Sequence, residues 1–151
     1  MNLLLAVSKD GFLCKGPDDD MKWTGPLDKF AFKLLTMSSD QPLLAGSTTY
    51  NMMPKLPGRS LYRLSQKGEG GLTLEEAHFY YPHAWVIGGP TVAEQALKKG
   101  LIDRVFLCSV DKALKGGVPV EGLLAHLHSK PKMVIRLGSY QVVIFDVGVN
   151  T

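Results

Sequence analysis

Short apolar runs rich in Leu, Val and Ile alternate along the whole chain with longer stretches whose apolar residues recur at helical spacing. That alternation predicts an α/β domain built on a largely parallel sheet. The predicted strands are residues 3–7, 42–46, 61–65, 84–87, 104–110, 133–137 and 141–147. Only Gly138-Ser139-Tyr140 separates the last two, which predicts an antiparallel hairpin at the end of the sheet. No repeat, low-complexity tract or linker interrupts the pattern. With 151 residues, 45% apolar and 21% charged, the chain suits one domain, 1–151, with a core of its own.

Two helices are well marked. Gly25-Pro26 supplies a start with proline at the first helical position, and Leu27, Phe30, Ala31, Leu34 and Leu35 then follow the i, i+3, i+4, i+7, i+8 pattern of a core-facing stripe. The same spacing stacks Asp28 and Phe32 on an adjoining face, where a carboxylate beside an aromatic ring is an odd choice for a merely solvated surface. The second helix is predicted after Gly88-Gly89, with Pro90 or Thr91 in its first turn and Lys98-Lys99-Gly100 as its stop. Two glycines between a buried strand and a helix N-terminus can present backbone N–H groups to a phosphate. Smaller helices are predicted at 48–53, at 74–77 behind Thr73 as cap, and at 121–128.

Composition and motif spacing argue against several other classes. Cys14 and Cys108 lie far apart and form no CxxC or Cys/His cluster, which predicts free thiols in a reducing compartment. The opening apolar run, Leu3 to Val7, is short, has no basic region ahead of it and no small-residue cleavage pattern, so it reads as a buried strand rather than a signal peptide. No run approaches the ~18 apolar residues of a membrane span, and a soluble, cytoplasmic protein without a membrane partner is expected. The net charge of +3 is dispersed rather than gathered into a stripe, against a nucleic-acid partner. Asp18, Asp19 and Asp20 are consecutive carboxylates without a spaced partner, predicting a solvated loop and no metal site. His126 and His128 diverge on a helix and complete no zinc motif.

Read in order, these pieces resemble the dihydrofolate reductase family over nearly the whole chain. Leu5-Ala6-Val7-Ser8-Lys9-Asp10-Gly11 resembles the family's first strand and the turn into its mobile active-site loop, and Met21-Lys22-Trp23 resembles that loop's end. Asp28 and Phe32 fall where the family keeps its acid and its pterin-stacking aromatic. Ala45-Gly46-Ser47-Thr48-Thr49-Tyr50 is similar to the strand-to-helix turn that grips the cofactor. Leu56-Pro57-Gly58-Arg59 matches the family's Leu-Pro-Gly-Arg segment, with Leu64-Ser65 following at the family's spacing. Val86-Ile87-Gly88-Gly89 resembles the strand and glycine turn beneath the pyrophosphate. Each motif is weak alone; their shared order and spacing carry the resemblance.

The resemblance implies a three-layer fold, with a mostly parallel central sheet, a C-terminal antiparallel hairpin and helices on both faces. It implies NADPH-dependent reduction of 7,8-dihydrofolate to tetrahydrofolate by a monomer, a step of one-carbon metabolism and a target of antifolates. That reaction needs a proton at nitrogen 5 of the pterin and a hydride at the adjacent carbon. A buried carboxylate can bind the aminopyrimidine edge and favour protonation, and desolvation keeps part of it protonated near neutral pH. The implied catalytic residues are Asp28 and Trp23. Leu5, Ala6, Phe32, Met52, Met53, Leu56, Ile87 and Cys108 would line the substrate pocket, and Arg59 would hold the α-carboxylate of the glutamate tail with its guanidinium fork. For the cofactor the resemblance implies Ala6, Leu13, Gly16 and Trp23; Gly46, Ser47, Thr48 and Thr49; Leu64, Ser65 and Gln66; and Ile87, Gly88, Gly89, Pro90, Thr91 and Val92.

Some positions depart from better-known members. Ser47 and Thr91 stand where many reductases place basic residues near the cofactor phosphates, which leaves Arg63 or Lys67 for that task and NADH as an alternative cofactor. Pro90 replaces a third glycine and removes an N–H, Ala93 stands for a tyrosine, and Cys108 stands for the threonine that supports the acid, a weaker hydrogen-bonding group. The loop from Lys15 to Asp20 is longer than usual. Two alternatives stay open. The pyrimidine reductase of riboflavin synthesis shares the fold and resembles the Asp10-Gly11 turn and Trp23-Thr24-Gly25. A non-catalytic nucleotide-binding relative is the other, and a buried carboxylate at Asp28 speaks against it.

Overall fold

Successive side chains of the first strand, β1 (Asn2–Ser8), enter opposite cores: Leu3, Leu5 and Val7 join one, and Leu4 joins the other with Ala6 packed against it. The computed structural model describes residues 1–54, 56–67, 69–128 and 130–147. After β1 come β2 (Phe12–Cys14), a 3-10 turn (Lys22–Thr24), α1 (Gly25–Met37), β3 (Leu43–Gly46) and α2 (Ser47–Met52). Then follow β4 (Leu61–Leu64), α3 (Leu74–Tyr80), β5 (Trp85–Val86), α4 (Pro90–Lys98) and β6 (Arg104–Val110). The chain continues through β7 (Val118–Pro119), α5 (Glu121–Leu124), β8 (Met133–Leu137) and β9 (Tyr140–Asp146).

The main sheet has seven strands in the order β4-β3-β5-β1-β6-β9-β8. Its first five strands pair in parallel, and β9 and β8 add antiparallel at one end as the expected hairpin. Both faces are covered, as the apolar runs of a parallel sheet require. Ala77 of α3, Ala93, Ala96 and Leu97 of α4 and Leu123 of α5 pack on one face. Ala31 of α1, with Phe32 and Leu35, packs on the other. The Trp85 indole donates to the Ser39 hydroxyl at 3.1 Å and ties the end of α1 to β5. No helix among the described residues is long and apolar enough to cross a membrane.

Three features differ from the sequence pattern. The stripe predicted to face the core on α1 does not: Leu27, Phe30 and Leu34 are 48%, 57% and 55% exposed. The face turned to the sheet carries Asp28, Ala31, Phe32 and Leu35, an equally good i, i+3, i+4, i+7 set whose polar first member hides it from an apolar count. Second, β2 and β7 form a separate two-stranded antiparallel ribbon, too short to register as strands in sequence. Third, α5 stops at Leu124, well before His128.

The other elements follow their local signals. Thr73 caps α3 in a full capping box with Glu76, and α4 starts with Gly89 as N-cap and Pro90 as first residue.

Candidate functional site

Because α1 begins at Gly25, Asp28 ends the first helical turn with its carboxylate towards the sheet. There the buried Tyr140, first residue of β9, donates its hydroxyl hydrogen to Asp28 Oδ1 at 2.9 Å. Tyr140 shares a strand face with Val142, the register partner of Cys108 on β6, so the thiol lies beside the same phenol. Burial pushes the Asp28 carboxyl above its usual range, against the opposing pull of the Tyr140 and Thr24 hydroxyls and the Lys29 ammonium. Burial also pushes the Cys108 thiol up to about 12, with the Tyr140 hydroxyl opposing and the Asp28 charge adding to the rise. The Tyr140 phenol is raised as well, by burial and by the neighbouring Cys108 and Asp28, so at neutral pH it keeps its proton and acts as a donor. Lys29 Nζ donates to Thr24 Oγ1 at 3.3 Å, and that hydroxyl donates to the Met21 carbonyl at 3.0 Å.

An apolar wall borders this half-buried carboxyl. Trp23, Ile87 and Cys108 belong to the core on the Asp28 side, and Ala6, Phe32, Met53 and Leu56 pack against it. Leu5 does not join them: with side chains alternating along β1, it packs in the opposite core together with Leu13 and Leu64, so its side chain does not line the Asp28 pocket. Met52, at the end of α2, is 43% exposed. Arg59 is partly buried, with its guanidinium 5.9 Å from the Phe32 ring centroid and one terminal N–H donating to Thr36 Oγ1 at 3.2 Å. Thr36 is itself buried and donates to the Phe32 carbonyl at 2.7 Å. A hollow of about 130 Å³ opens beside this group, bounded by Thr36, Gly58, Arg59 and Ser60.

A second, polar part lies where parallel strands β3 and β5 end side by side. The Gly46 N–H donates to the Gly88 carbonyl at 2.9 Å, and the Gly88–Gly89 peptide is cis. A Cβ at Gly46 would meet Val92 Cγ2 at 2.8 Å, closer than real side chains come. Gly88 has φ +136°, and Thr49 Oγ1 sits 3.4 Å from where its Cβ would be. Helices α2 and α4 begin at this spot, and neither has a side chain bonded to its first-turn N–H groups. Ser47, Thr48 and Thr91 are exposed at their starts. The carboxyl ends of parallel strands beside an uncapped helix N-terminus suit a phosphate group carried by a larger ligand. Ile87 joins the two parts: its side chain is on the Asp28 face and Gly88 follows it directly.

Beyond β4 the expectations fare differently. The Ser65 N–H donates to the Leu72 carbonyl, and Gln66 is exposed. Arg63 is partly committed to its own loop: its Nε and one terminal nitrogen donate to the Gly70 carbonyl at 2.9 and 2.7 Å. The open depression of about 460 Å³ around Tyr50, Tyr62 and Arg63 is thus floored by a guanidinium partly committed to its own loop.

The loop between β2 and α1 is internally bonded rather than merely solvated. Asp19 accepts from the Lys15 N–H at 2.7 Å, the Met21 N–H at 2.8 Å and the Trp23 indole N–H at 2.9 Å. Partial burial works to raise its pKa, but these donors and the Lys15 charge hold it below the usual value. Met21 turns the chain through the left-handed region at φ 61°. Gly16 is the acceptor of the Asp19 N–H. In the turn between β1 and β2, Asp10 accepts from the Ser8 hydroxyl and from the N–H groups of Leu114 and Lys115, which lower its carboxyl to about 2. Among the described residues, no three His, Cys, Asp or Glu side chains come together as a metal site.

Sequence reasoning passes over Tyr140, which it assigns to the hairpin turn. Counting back by twos from Ile144 and Val142 along the buried face of β9 would have found it. Thr24 and Asp19 carry no comparable signal, because their partners are set by the turn. No protein-family model matches the chain, and no curated protein is significantly similar to it.

Proposed function

We propose that the protein is a dihydrofolate reductase of the three-layer fold its sequence resembles, reducing 7,8-dihydrofolate with NADPH. The observation that carries this reading is Asp28, a half-buried carboxyl bonded to Tyr140 on the sheet face that also carries Ile87, the residue before Gly88-Gly89. When bound, the nicotinamide cofactor supplies the hydride. The chain's own residues do the rest. The Asp28 carboxyl accepts the paired donors of an aminopyrimidine edge, and burial raises its affinity for a proton, which favours protonation of the bound pterin. Phe32 offers its ring to the pterin, with Ala6, Met53, Leu56 and Ile87 excluding water around it. Arg59, steadied through Thr36 and Phe32, keeps N–H groups for the carboxylate of a glutamate tail.

The cofactor's pyrophosphate would lie where β3, α2 and α4 meet. Gly46, Gly88 and Gly89 let β3, α2 and α4 come close together, and the Thr91 and Val92 N–H groups and the Thr49 hydroxyl supply the polar surface. Discrimination for the extra phosphate of NADPH would fall to Lys67 and the terminal nitrogen of Arg63 that its loop leaves unengaged, and NADH is the comparison to run.

The test is oxidation of NADPH or NADH followed at 340 nm with and without dihydrofolate. Dihydrofolate-dependent oxidation that drops by roughly 10²–10⁴-fold in Asp28→Asn is expected. Absence of turnover with either cofactor would overturn the reading and direct the assay to a ribose-phosphate-bearing pyrimidine instead.

A further inference from the structure

We infer that Tyr140 is the positioning residue of this site: its hydroxyl orients Asp28 and tunes its proton, the task the resemblance gives to a threonine at the position of Cys108. The inference rests on the reductase reading for its catalytic consequence, but the contact itself does not. Position 108 offers only a thiol, a weak donor, 2% exposed and unable to serve as a strong partner for a carboxylate. The last strand makes good the loss. Tyr140 is 3% exposed, and its one hydroxyl hydrogen goes to Asp28 Oδ1, 112 residues away in sequence.

The alternative is that Tyr140 is a core aromatic whose hydroxyl merely needed a partner. The two readings part over what the bond does to Asp28. The polar groups facing the carboxyl are Tyr140 from β9, Cys108 from β6, Thr24 from the turn before α1, and Lys29 on α1. On this face β1 and β5 contribute Leu4, Ala6 and Trp85, and the Ser8 hydroxyl at the end of β1 is engaged with Asp10 and the Phe12 N–H. Of the groups present, the phenol is the one strong donor that comes from the sheet. A donor to an ionised carboxylate favours the ionised form, so removing it raises the carboxyl pKa.

Tyr140→Phe keeps the ring and deletes the donor. The Asp28 pKa, read by carboxyl carbon NMR of [4-¹³C]aspartate-labelled apoprotein with Asp28→Asn for assignment, should rise by about one to two units. The pH at which dihydrofolate reduction falls to half its maximum should move up with it. Replacing all tyrosines by 3-fluorotyrosine, whose more acidic hydroxyl donates more strongly, should move both downward, and this covers the case in which Tyr140→Phe fails to fold. A carboxyl pKa unchanged to within a few tenths of a unit in the folded variant, or in the fluorinated protein, would overturn the inference. The NMR readout needs no turnover. A carboxyl that responds in a protein inactive on dihydrofolate would therefore sink the reductase reading alone, and an active enzyme with an unresponsive carboxyl would sink only the inference.

Discussion

Asp28 lies in an environment that works against its charge, and stability records this directly. Its pKa is raised in the folded state, so between the unfolded and folded values the native protein binds more protons, and stability falls as pH rises through that window. Asp28→Asn, which keeps an oxygen to accept from Tyr140 while removing the charge, should therefore melt at a higher temperature than the parent at pH 8. The gap should close as pH falls through the folded carboxyl's pKa, where the parent is neutral too; scanning calorimetry across pH reads it. A variant that loses activity and gains stability is the pattern of a functional group held at the expense of the fold. At this scale Asp28 and Phe32 were legible, because helical spacing alone stacks them. Tyr140 was not, since a tyrosine beside Gly138-Ser139 reads as turn, and Leu5 went to the wrong face for want of a strand register.

Among elements, the close approach of β3 to α4 is the tightest constraint. Gly46→Ala drives a methyl into Val92 Cγ2, and the β-branched valine has few rotamers in which to yield. The expected loss is about 1–3 kcal/mol in urea denaturation, partly restored by Val92→Ala, because the clash is between these two side chains. Strands were well marked by their apolar runs and differ from expectation by a residue or two at the ends, the part of an element that local sequence defines least. The orientation of α1 was not legible. Residues 27, 30, 31, 34 and 35 and residues 28, 31, 32 and 35 are adjoining faces with nearly the same periodicity, and tertiary contact with Tyr140 and Arg59 decides between them. The pairing of β2 with β7 spans over a hundred residues and has no local signature at all.

For the molecule as a whole, the sheet divides the apolar interior into two cores that share every central strand. Trp23 and Trp85 both lie in the core containing Cys108, so tryptophan fluorescence reports one side only. Leu44→Ala, in the opposite core and fully buried, should cost about 2–5 kcal/mol. It should shift the fluorescence and far-UV circular dichroism transitions by the same amount, because strands common to both cores leave no unit free to melt alone. Split transitions would show that the two sides unfold separately. The layering was legible from alternation; the strand order was not, since every parallel arrangement of the same runs satisfies the same pattern. The segment from Lys15 to Met21 is pinned at one end by the β2–β7 ribbon and at the other by the turn at Lys22–Thr24, and Asp19 braces it across the middle. A bucket handle fixed at two pivots and stiffened by a crossbar keeps its shape, so any displacement of this segment would carry it as a single piece and would have to break the Asp19–Trp23 bond first.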